Sequence, residues 1–218
     1  MSLKFIDIYN AVASQPWSMF DSDIQDSSEF DPALVLSINK ALADLWLSFP
    51  FPFRIKSRTI NTKPSVFKYP LFPGMLLSDD NDVFSISIDN IPLKPAPCPQ
   101  PASIIGKPSR FYFKDNHICL YPTPDEVYKV DISFLSLVYS YDENFSPLFS
   151  LKNPDDTIDL PTHLNQLFLN ALITKTMLFS IASKSDELYS GYKEQFDKAF
   201  KLLVKYSSPT YFQKKVTF

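Results

Sequence analysis

The side chains of this sequence that could take part in nucleophilic or metal chemistry begin with its two histidines and two cysteines. His117 and Cys119 are two positions apart on a predicted strand, so both side chains would face one side. Cys98 could join them from a proline-rich stretch. A closed zinc site needs four ligands, usually from closely spaced pairs, and the sequence has no such pairs. We therefore predict no metal site, with a turn histidine at His117 and buried thiols at the cysteines.

The carboxylates and the second histidine indicate turns and caps rather than catalysis. Asp79, Asp80 and Asp82 resemble the start of a calcium loop, but the glycine and the late glutamate of such a loop are absent. The aspartates at 155–156 are of the type that glycoside hydrolases use, yet an Asn-Pro-Asp-Asp turn explains them well. His163 falls in the first turn of a predicted helix, where a surface or capping role is expected. GxSxG and HExxH motifs are also absent, so we predict no catalytic residue, no cofactor and no enzymatic activity.

Three basic residues, Arg54, Lys56 and Arg58, alternate along a predicted strand. Alternation would place them on one side of the strand, facing a phosphate backbone or an acidic partner. The competing interpretation is a solvated strand face without any partner. A formal net charge of −3 and a pI of about 5.4 exclude a protein whose whole surface binds nucleic acid, but they allow a local basic strip.

Glycine is scarce and proline is abundant, with 3 and 19 residues in a chain of 218. Phosphate-binding loops need several glycines close together, so nucleotide sites of that kind are excluded. A hydrophobic fraction of 45% is ordinary for a globular protein. The sequence has neither an export signal at its start nor the roughly 20 consecutive apolar residues of a bilayer span, so we expect a soluble chain without a membrane segment.

Apolar residues at helical spacing predict a short helix near 3–14 and a second helix that begins at Asp31-Pro32 and ends before Pro50. Aspartate is a good capping residue, and proline is well tolerated in the first helical turn. From about 51 to 138 the period changes to two, which predicts short antiparallel strands with one solvated face.

Two features of this β region can be placed more closely. Asp115-Asn116 separates two alternating runs, and this pair tolerates the positive φ that a tight hairpin needs. The stretch 92–108 contains so many prolines that it lacks the donors for a ladder, and we expect an extended loop or arm there.

Helical spacing returns near Leu160-Pro161, and a second helix capped by Ser185 follows. Two helices with so short a connection pack as an antiparallel hairpin. Four leucines are expected in its core: Leu167, Leu172, Leu178 and Leu203.

The predicted fold class is therefore α+β. A helical domain, made of N-terminal helices and a C-terminal antiparallel helical hairpin, is formed by 1–50 and 155–206. It carries an inserted antiparallel β domain at 51–154, and a C-terminal tail follows at 207–218.

This tail lacks periodicity, yet it combines three aromatic residues with two lysines: Tyr211, Phe212, Phe218, Lys214 and Lys215. Such a segment can become ordered on a partner, where buried rings supply affinity and lysines supply steering. A frayed terminus without a partner is the alternative interpretation.

Three segments follow one another in a distinctive order: Leu-Tyr-Pro-Thr-Pro-Asp at 120–125, an alternating strand at 128–132, and Asp-Leu-Pro at 159–161 before a helical hairpin. Together with an N-terminal helix that ends near an aromatic and proline patch at 46–53, this order resembles the head-to-tail connector (adaptor) proteins of short-tailed bacteriophages. These motifs are structural rather than catalytic.

The resemblance covers about 1–60 and 109–206, while 61–108 has no counterpart. A composition rich in Lys, Asn, Ser and Phe would suit a phage of an AT-rich host, such as the crAss-like phages.

The resemblance implies a homo-oligomeric ring, a dodecamer in that family, docked beneath the portal protein and leading to downstream tail proteins. It implies a location in the virion neck, with assembly in the host cytoplasm, and DNA that passes through the channel without specific binding. In that family the C-terminal segment reaches the portal, which implies the same for the tail at 207–218. The alternative function is a tail-associated receptor- or glycan-binding module, whose aromatic β region would stack on sugars.

Charge is distributed unevenly along the chain, since acidic residues crowd its N-terminal part and lysines its C-terminal part. These residues are Asp21, Asp23, Asp26, Glu29 and Asp31, and Lys198, Lys201, Lys205, Lys214 and Lys215. Such a subunit would attract the unlike ends of its neighbours in a ring, or the components stacked above and below it.

Overall fold

The computed structural model describes residues 2–15, 30–76, 84–97, 103–181 and 186–208, and the chain divides into two compact units. The first unit comprises Met1–Arg54 and Leu137–Phe218, and the second comprises Ile55–Ser136. Helices and mainly antiparallel sheets are both present, which confirms the mixed α+β class. The segment 137–154, which the sequence pattern assigned to the β insertion, belongs to the first unit.

The described helices all lie in the first unit. They are α1 (Phe5–Ala13), α2 (Pro32–Leu47), α3 (Asn165–Ile181) and α4 (Asp186–Ser207), with 3-10 turns at Pro52–Arg54 and Thr162–Leu164.

The strands are short, as the many prolines predict. In the part of the chain that is described they are β1 (Leu3–Lys4), β2 (Ile55–Asn61), β3 (Lys68–Pro70), β4 (Met75–Leu76), β5 (Ser85–Ile88), β6 (Ile91–Pro92), β7 (Lys94–Pro95), β8 (Arg110–Lys114), β9 (His117–Tyr121), β10 (Lys129–Ser136), β11 (Ser140–Tyr141), β12 (Pro147–Leu148) and β13 (Thr157–Ile158).

Helix α2 begins as its sequence predicts. The Asp31 side chain accepts hydrogen bonds from the backbone N–H groups of Ala33, at 2.7 Å, and Leu34, at 3.1 Å. These donors have no partner within the helix, so the carboxylate stabilises its first turn. Pro32 occupies the first helical position, where a missing N–H costs nothing.

Helices α3 and α4 form an antiparallel hairpin, because α4 packs on α3 and also reaches the turn Thr162–Leu164 that precedes α3. Asp186 and Glu187 lie in the first turn of α4, where negative charge is favourable. The predicted cap Ser185 lies outside the described residues.

The core of the first unit is built mainly from α1, α2 and α3. Its fully buried side chains include Phe5, Ile8, Val12, Ile38, Leu42, Leu45, Phe51, Phe168, Leu172 and Leu203. Leu178 is also buried, whereas Leu167 is half-buried at the edge of this core, contrary to its predicted position.

A small antiparallel sheet of the first unit has the strand order β1-β13-β11-β12. The segment that follows β12 is fixed to α2 by Asn39, whose side chain exchanges two hydrogen bonds with the backbone of Leu151, at 2.7 and 2.9 Å. The hairpin β11–β12 is thereby mounted on the helical core.

The second unit contains two sheets. One has the order β2-β10-β5-β6, with β4 also on β10, and the other has the order β3-β9-β8-β7. Asp115 and Asn116 turn the β8–β9 hairpin with φ of 52° and 58°, which confirms the predicted turn. Asp89 and Asn90 do the same between β5 and β6, at φ of 53° and 63°, a turn the sequence analysis missed.

The prediction that 92–108 lacks the donors for a ladder is wrong for its first part, which is hydrogen-bonded into both sheets. Leu93 donates to the carbonyl of Ile86, and Ala96 donates to that of Phe111. In a strand, successive N–H groups point to opposite sides. The backbone nitrogen of Pro95 points away from β8, so its missing N–H removes no hydrogen bond from this pairing. Residues 98–102 lie outside the described part.

The core of the second unit lies between the inward faces of its strands. Its buried members are Tyr69, Met75, Ile86, Ile88, Leu93, Phe111, Ile118, Leu120, Val130, Ile132 and Phe134.

Candidate interaction surface

The three basic residues of the predicted strand face are not brought together. Arg54 ends the turn Pro52–Arg54 and is 2% exposed, and its guanidinium donates to the carbonyls of Trp46 and Phe49. Burial lowers the pKa of Arg54 to about 10. The side chain is therefore charged at neutral pH and holds the carboxyl end of α2, where it has no access to a phosphate backbone.

Lys56 and Arg58 lie on β2, opposite Phe134 and Ile132 of β10. Directly opposite residues of an antiparallel pair share a face, so both basic side chains lie on the face that carries the core of the second unit. The sequence pattern predicted either a ligand-binding row or a solvated face. Arg54 belongs to neither because it is buried, and for Lys56 and Arg58 both interpretations stay predictions. β2 is an edge strand of its sheet, and on it Arg58 is exposed whereas Lys56 is half-buried.

The opposite face of the same sheet carries hydroxyl groups that bond to one another. The hydroxyls of Ser57 and Ser133 are 3.0 Å apart, and the Thr59 hydroxyl donates to the Asp131 carboxylate at 2.5 Å. These cross-strand bonds link β2 to β10 on that face.

Among the described residues, His117, His163 and Cys119 have separate surroundings. His117 donates from Nδ1 to the carbonyl of Asp115 at 2.6 Å, and Cys119 is buried. His163 is exposed, and Cys98 is not among the described residues. Within those residues, no three His, Cys, Asp or Glu side chains are grouped so that they could hold a metal ion.

The paired aspartates have separate structural partners. Asp156 is buried and accepts hydrogen bonds from the backbone N–H groups of Lys152 and Asn153, at 2.7 and 2.8 Å. Asp155 is exposed and lies 2.6 Å from the Lys4 ammonium. Asp156 therefore holds the predicted turn, and Asp155 pairs with Lys4. The other acidic cluster, at 79–82, lies outside the described residues.

An exposed aromatic ring at the tip of the β11–β12 hairpin is the feature that sequence reasoning missed. Phe145 is 84% exposed, and its φ is 59°, in the left-handed region that side chains rarely adopt. We name residues 142–146 the hairpin tip. The sequence signal that could have indicated it is one aromatic residue within an otherwise polar turn, Asp-Glu-Asn-Phe-Ser.

The hairpin tip is held by hydrogen bonds to one residue. The Asp142 carboxylate accepts from the N–H groups of Asn144 and Ser146, at 2.9 and 2.7 Å. The Asp142 carbonyl accepts from the Phe145 N–H, and the Asp142 N–H donates to the Ser146 carbonyl. Four bonds fix the backbone of the loop, so the backbone needs little further ordering when the exposed ring binds a surface.

Replacing Phe145 with glycine should raise the free energy of unfolding by about 0.5–1 kcal/mol in dilute, monomeric protein, because glycine removes the strain of the positive φ and no buried contact is lost. Thermal melting monitored by circular dichroism measures this. The matched control is Phe149→Gly, at an exposed aromatic residue of the same hairpin without a positive φ, which should lower stability. A lower melting temperature for Phe145→Gly would contradict the proposed strain.

The solvent face of α4 is the second candidate surface. Lys198, Leu202 and Lys205 follow helical spacing on one side, and Lys201 lies beside them. Leu202 is 44% exposed, whereas Leu203 faces the core. We name Lys198, Lys201, Leu202 and Lys205 the basic face of α4. It combines an apolar centre with positive charge.

The remaining predicted docking residues of the tail are Tyr211, Phe212, Lys214, Lys215 and Phe218, and they lie outside the described part of the chain. No helix in the described ranges is both long and apolar enough to cross a bilayer.

Comparison with known proteins adds no assignment to these surfaces. No protein-family model matches the sequence, and a search of curated proteins finds no similar chain.

Proposed function

We propose that this chain is a non-catalytic structural subunit of a virion ring, the adaptor that joins the portal to the tail of a short-tailed bacteriophage. It works as a homo-oligomer, a dodecamer in the proteins it resembles, and continues the DNA channel towards the tail proteins. It is assembled in the host cytoplasm.

The observation that carries this proposal is the hairpin tip. An almost fully exposed ring on a loop with a hydrogen-bonded backbone has the properties of an anchor for another protein surface, because an aromatic side chain buries much apolar area and has few rotatable bonds. The Asp142 carboxylate of the same loop is engaged in holding the turn. Assembly accounts for this geometry better than catalysis.

The first unit has two interaction surfaces of opposite charge, and this pair supports a ring in particular. The hairpin tip is acidic and apolar, and the basic face of α4 is basic and apolar. A subunit with two unlike interaction surfaces joins its neighbours head to tail, and such contacts close into rings when the rotation allows it. The net charge of −3 fits a channel that passes DNA without holding it.

The receptor- or glycan-binding alternative needs exposed aromatic platforms, for which tryptophan is best suited. Trp46 is buried in the first unit, against the rings of Phe53, Tyr139 and Phe168. Trp17 lies outside the described residues. The described tryptophan therefore gives no support to sugar stacking.

Mass photometry and negative-stain images of the full chain, alone and mixed with the portal protein of the parent phage, test the proposed function. Closed rings, alone or on the portal, are the expected result. A trimer that binds cell-surface glycans would favour the receptor module. A monomer that does not bind portal would contradict the adaptor role.

Deleting residues 207–218 should abolish co-sedimentation with portal while leaving the melting curve unchanged, because we propose that the rings and lysines of the tail dock on that partner. The control is a tail in which Lys214 and Lys215 become alanine and the aromatic residues stay, which should weaken binding only partly and reduce its salt dependence. Full binding by the truncated chain would show that the tail has no docking role.

A further inference from the structure

We propose that the hairpin tip of one copy docks on the basic face of α4 in the next copy, with the Phe145 ring on Leu202 and the acidic residues of the tip beside the lysines. This inference rests on the proposed ring and names the contact that closes it. The partner is a second copy of this chain.

The hairpin tip supplies an apolar centre with negative charge at its rim. Glu143 is exposed and only two residues from the exposed Phe145. Asp142 holds the loop through one carboxylate oxygen and brings a second negative charge to the same turn. A partner surface should therefore offer an apolar patch surrounded by cations.

The basic face of α4 has this composition. Leu202 is exposed between Lys198, four residues before it, and Lys205, three residues after it. Lysine stems extend the apolar patch while the ammonium groups stay at its rim. Glu194 is 2.6 Å from Lys198, and Asp197 lies four residues before Lys201, so both carboxylates offset part of the positive charge and Lys205 adds most of the rest.

The two surfaces cannot cover each other within one chain, because both Phe145 and Leu202 are exposed there. Their chemistry is complementary, and every added copy brings one of each. A contact between unlike surfaces of identical chains is head to tail and leaves an open surface at each end until a ring closes. An ammonium group near the face of the Phe145 ring adds a cation–π attraction.

The test uses two single variants of the full chain and mass photometry. Phe145→Gly removes the ring from the tip, and Leu202→Glu puts a carboxylate at the centre of the basic face. Each variant alone should need a concentration about thirtyfold or more higher to form rings, as expected when a central anchor is lost. Val66→Glu, the same change at an exposed apolar residue of the second unit, should leave ring formation unchanged.

Mixing the two variants distinguishes a head-to-tail contact from a general loss of association. The Leu202→Glu variant keeps an intact hairpin tip, and the Phe145→Gly variant keeps an intact basic face of α4. These two surfaces can still bind each other, whereas the remaining tip and face are both altered. The expected species is therefore a dimer of one copy of each variant. Melting curves no lower than wild type for Phe145→Gly show that the change acts on docking rather than on folding.

The outcomes separate this inference from the ring on which it rests. Rings that persist at wild-type concentration in either variant, or a mixture that stays monomeric, overturn the docking and leave the ring in place. A wild-type chain that forms no oligomer, alone or on the portal, overturns the ring and the docking together.

Discussion

Replacing Arg54 with alanine should lower the free energy of unfolding of the first unit by about 3–5 kcal/mol. The guanidinium is buried, donates to the carbonyls of Trp46 and Phe49, and lies 5.7 Å from the Trp46 ring. Alanine would leave both carbonyls without this donor and would open a cavity beside a large aromatic side chain. Both losses occur where α2 ends.

Urea denaturation monitored at 222 nm measures this loss, because all four described helices belong to the first unit. Arg58→Ala is the matched control, since it removes the same side chain from an exposed position and should change stability by about 0.5 kcal/mol or less. Arg54→Lys should lie between the two, because one ammonium cannot reproduce the fork of a guanidinium. Unfolding of Arg54→Ala at the wild-type midpoint would contradict the buried role.

The loss caused by Arg54→Ala should be the same at pH 6 and pH 8. Burial lowers the folded-state pKa to about 10, below the unfolded value, so the contribution of this group to stability changes with pH only from about pH 10 upward, where stability rises as the buried charge is lost. Below that window the guanidinium is fully charged in both states, and its contribution does not change with pH.

Leu172→Ala should lower the free energy of unfolding by about 2–5 kcal/mol, since the side chain is fully buried in α3 among residues of the first core. The same change at the half-buried Leu167 should cost less, because part of its surface is in water already. Leu36→Ala on α2 is the control: this leucine is 71% exposed, and its loss should shift stability by about 0.5 kcal/mol or less.

Equal losses at Leu167 and Leu172 would support the sequence-based expectation that both lie in the core, and would contradict the burial that the structure gives them. The urea midpoints of the three leucine variants distinguish these outcomes, provided that the dependence of the unfolding free energy on urea concentration is unchanged.

Local chemistry explains what could be predicted from the sequence. A capping Asp31 before Pro32 fixes the start of α2, and Asp115-Asn116 fixes a hairpin, because each depends on neighbouring residues alone. Helical spacing after Pro161 likewise predicts α3. The mixed α+β class follows from the change of period along the chain.

The rest depends on partners that are distant in sequence. Whether Lys56 and Arg58 face water or core is decided by the register of β10, which follows them by more than seventy residues. Arg54 shares their alternation but precedes the strand, and only the fold shows that its side chain turns back to α2. The proline stretch forms strands because its unsubstituted N–H groups meet acceptors on β5 and β8.

The candidate site was missed for a related reason. A single phenylalanine in a polar turn is normally predicted to be buried. Its exposure here depends on the hydrogen bonds that hold the loop, which the sequence pattern does not show. The lysines of α4 were noted as a charge cluster, but the exposed Leu202 among them could be separated from the buried Leu203 only once the helix was placed against its core.

The discontinuity of the first unit has a consequence during synthesis on the ribosome. Helices α1 and α2 emerge first, but α3, which completes their core, emerges only after the whole of Ile55–Ser136 has been made. The second unit is continuous in sequence, so we expect it to fold first. During that time the apolar residues of α2 have no α3 to pack against. The nascent chain is then most exposed to chaperones and to misassociation with neighbouring chains.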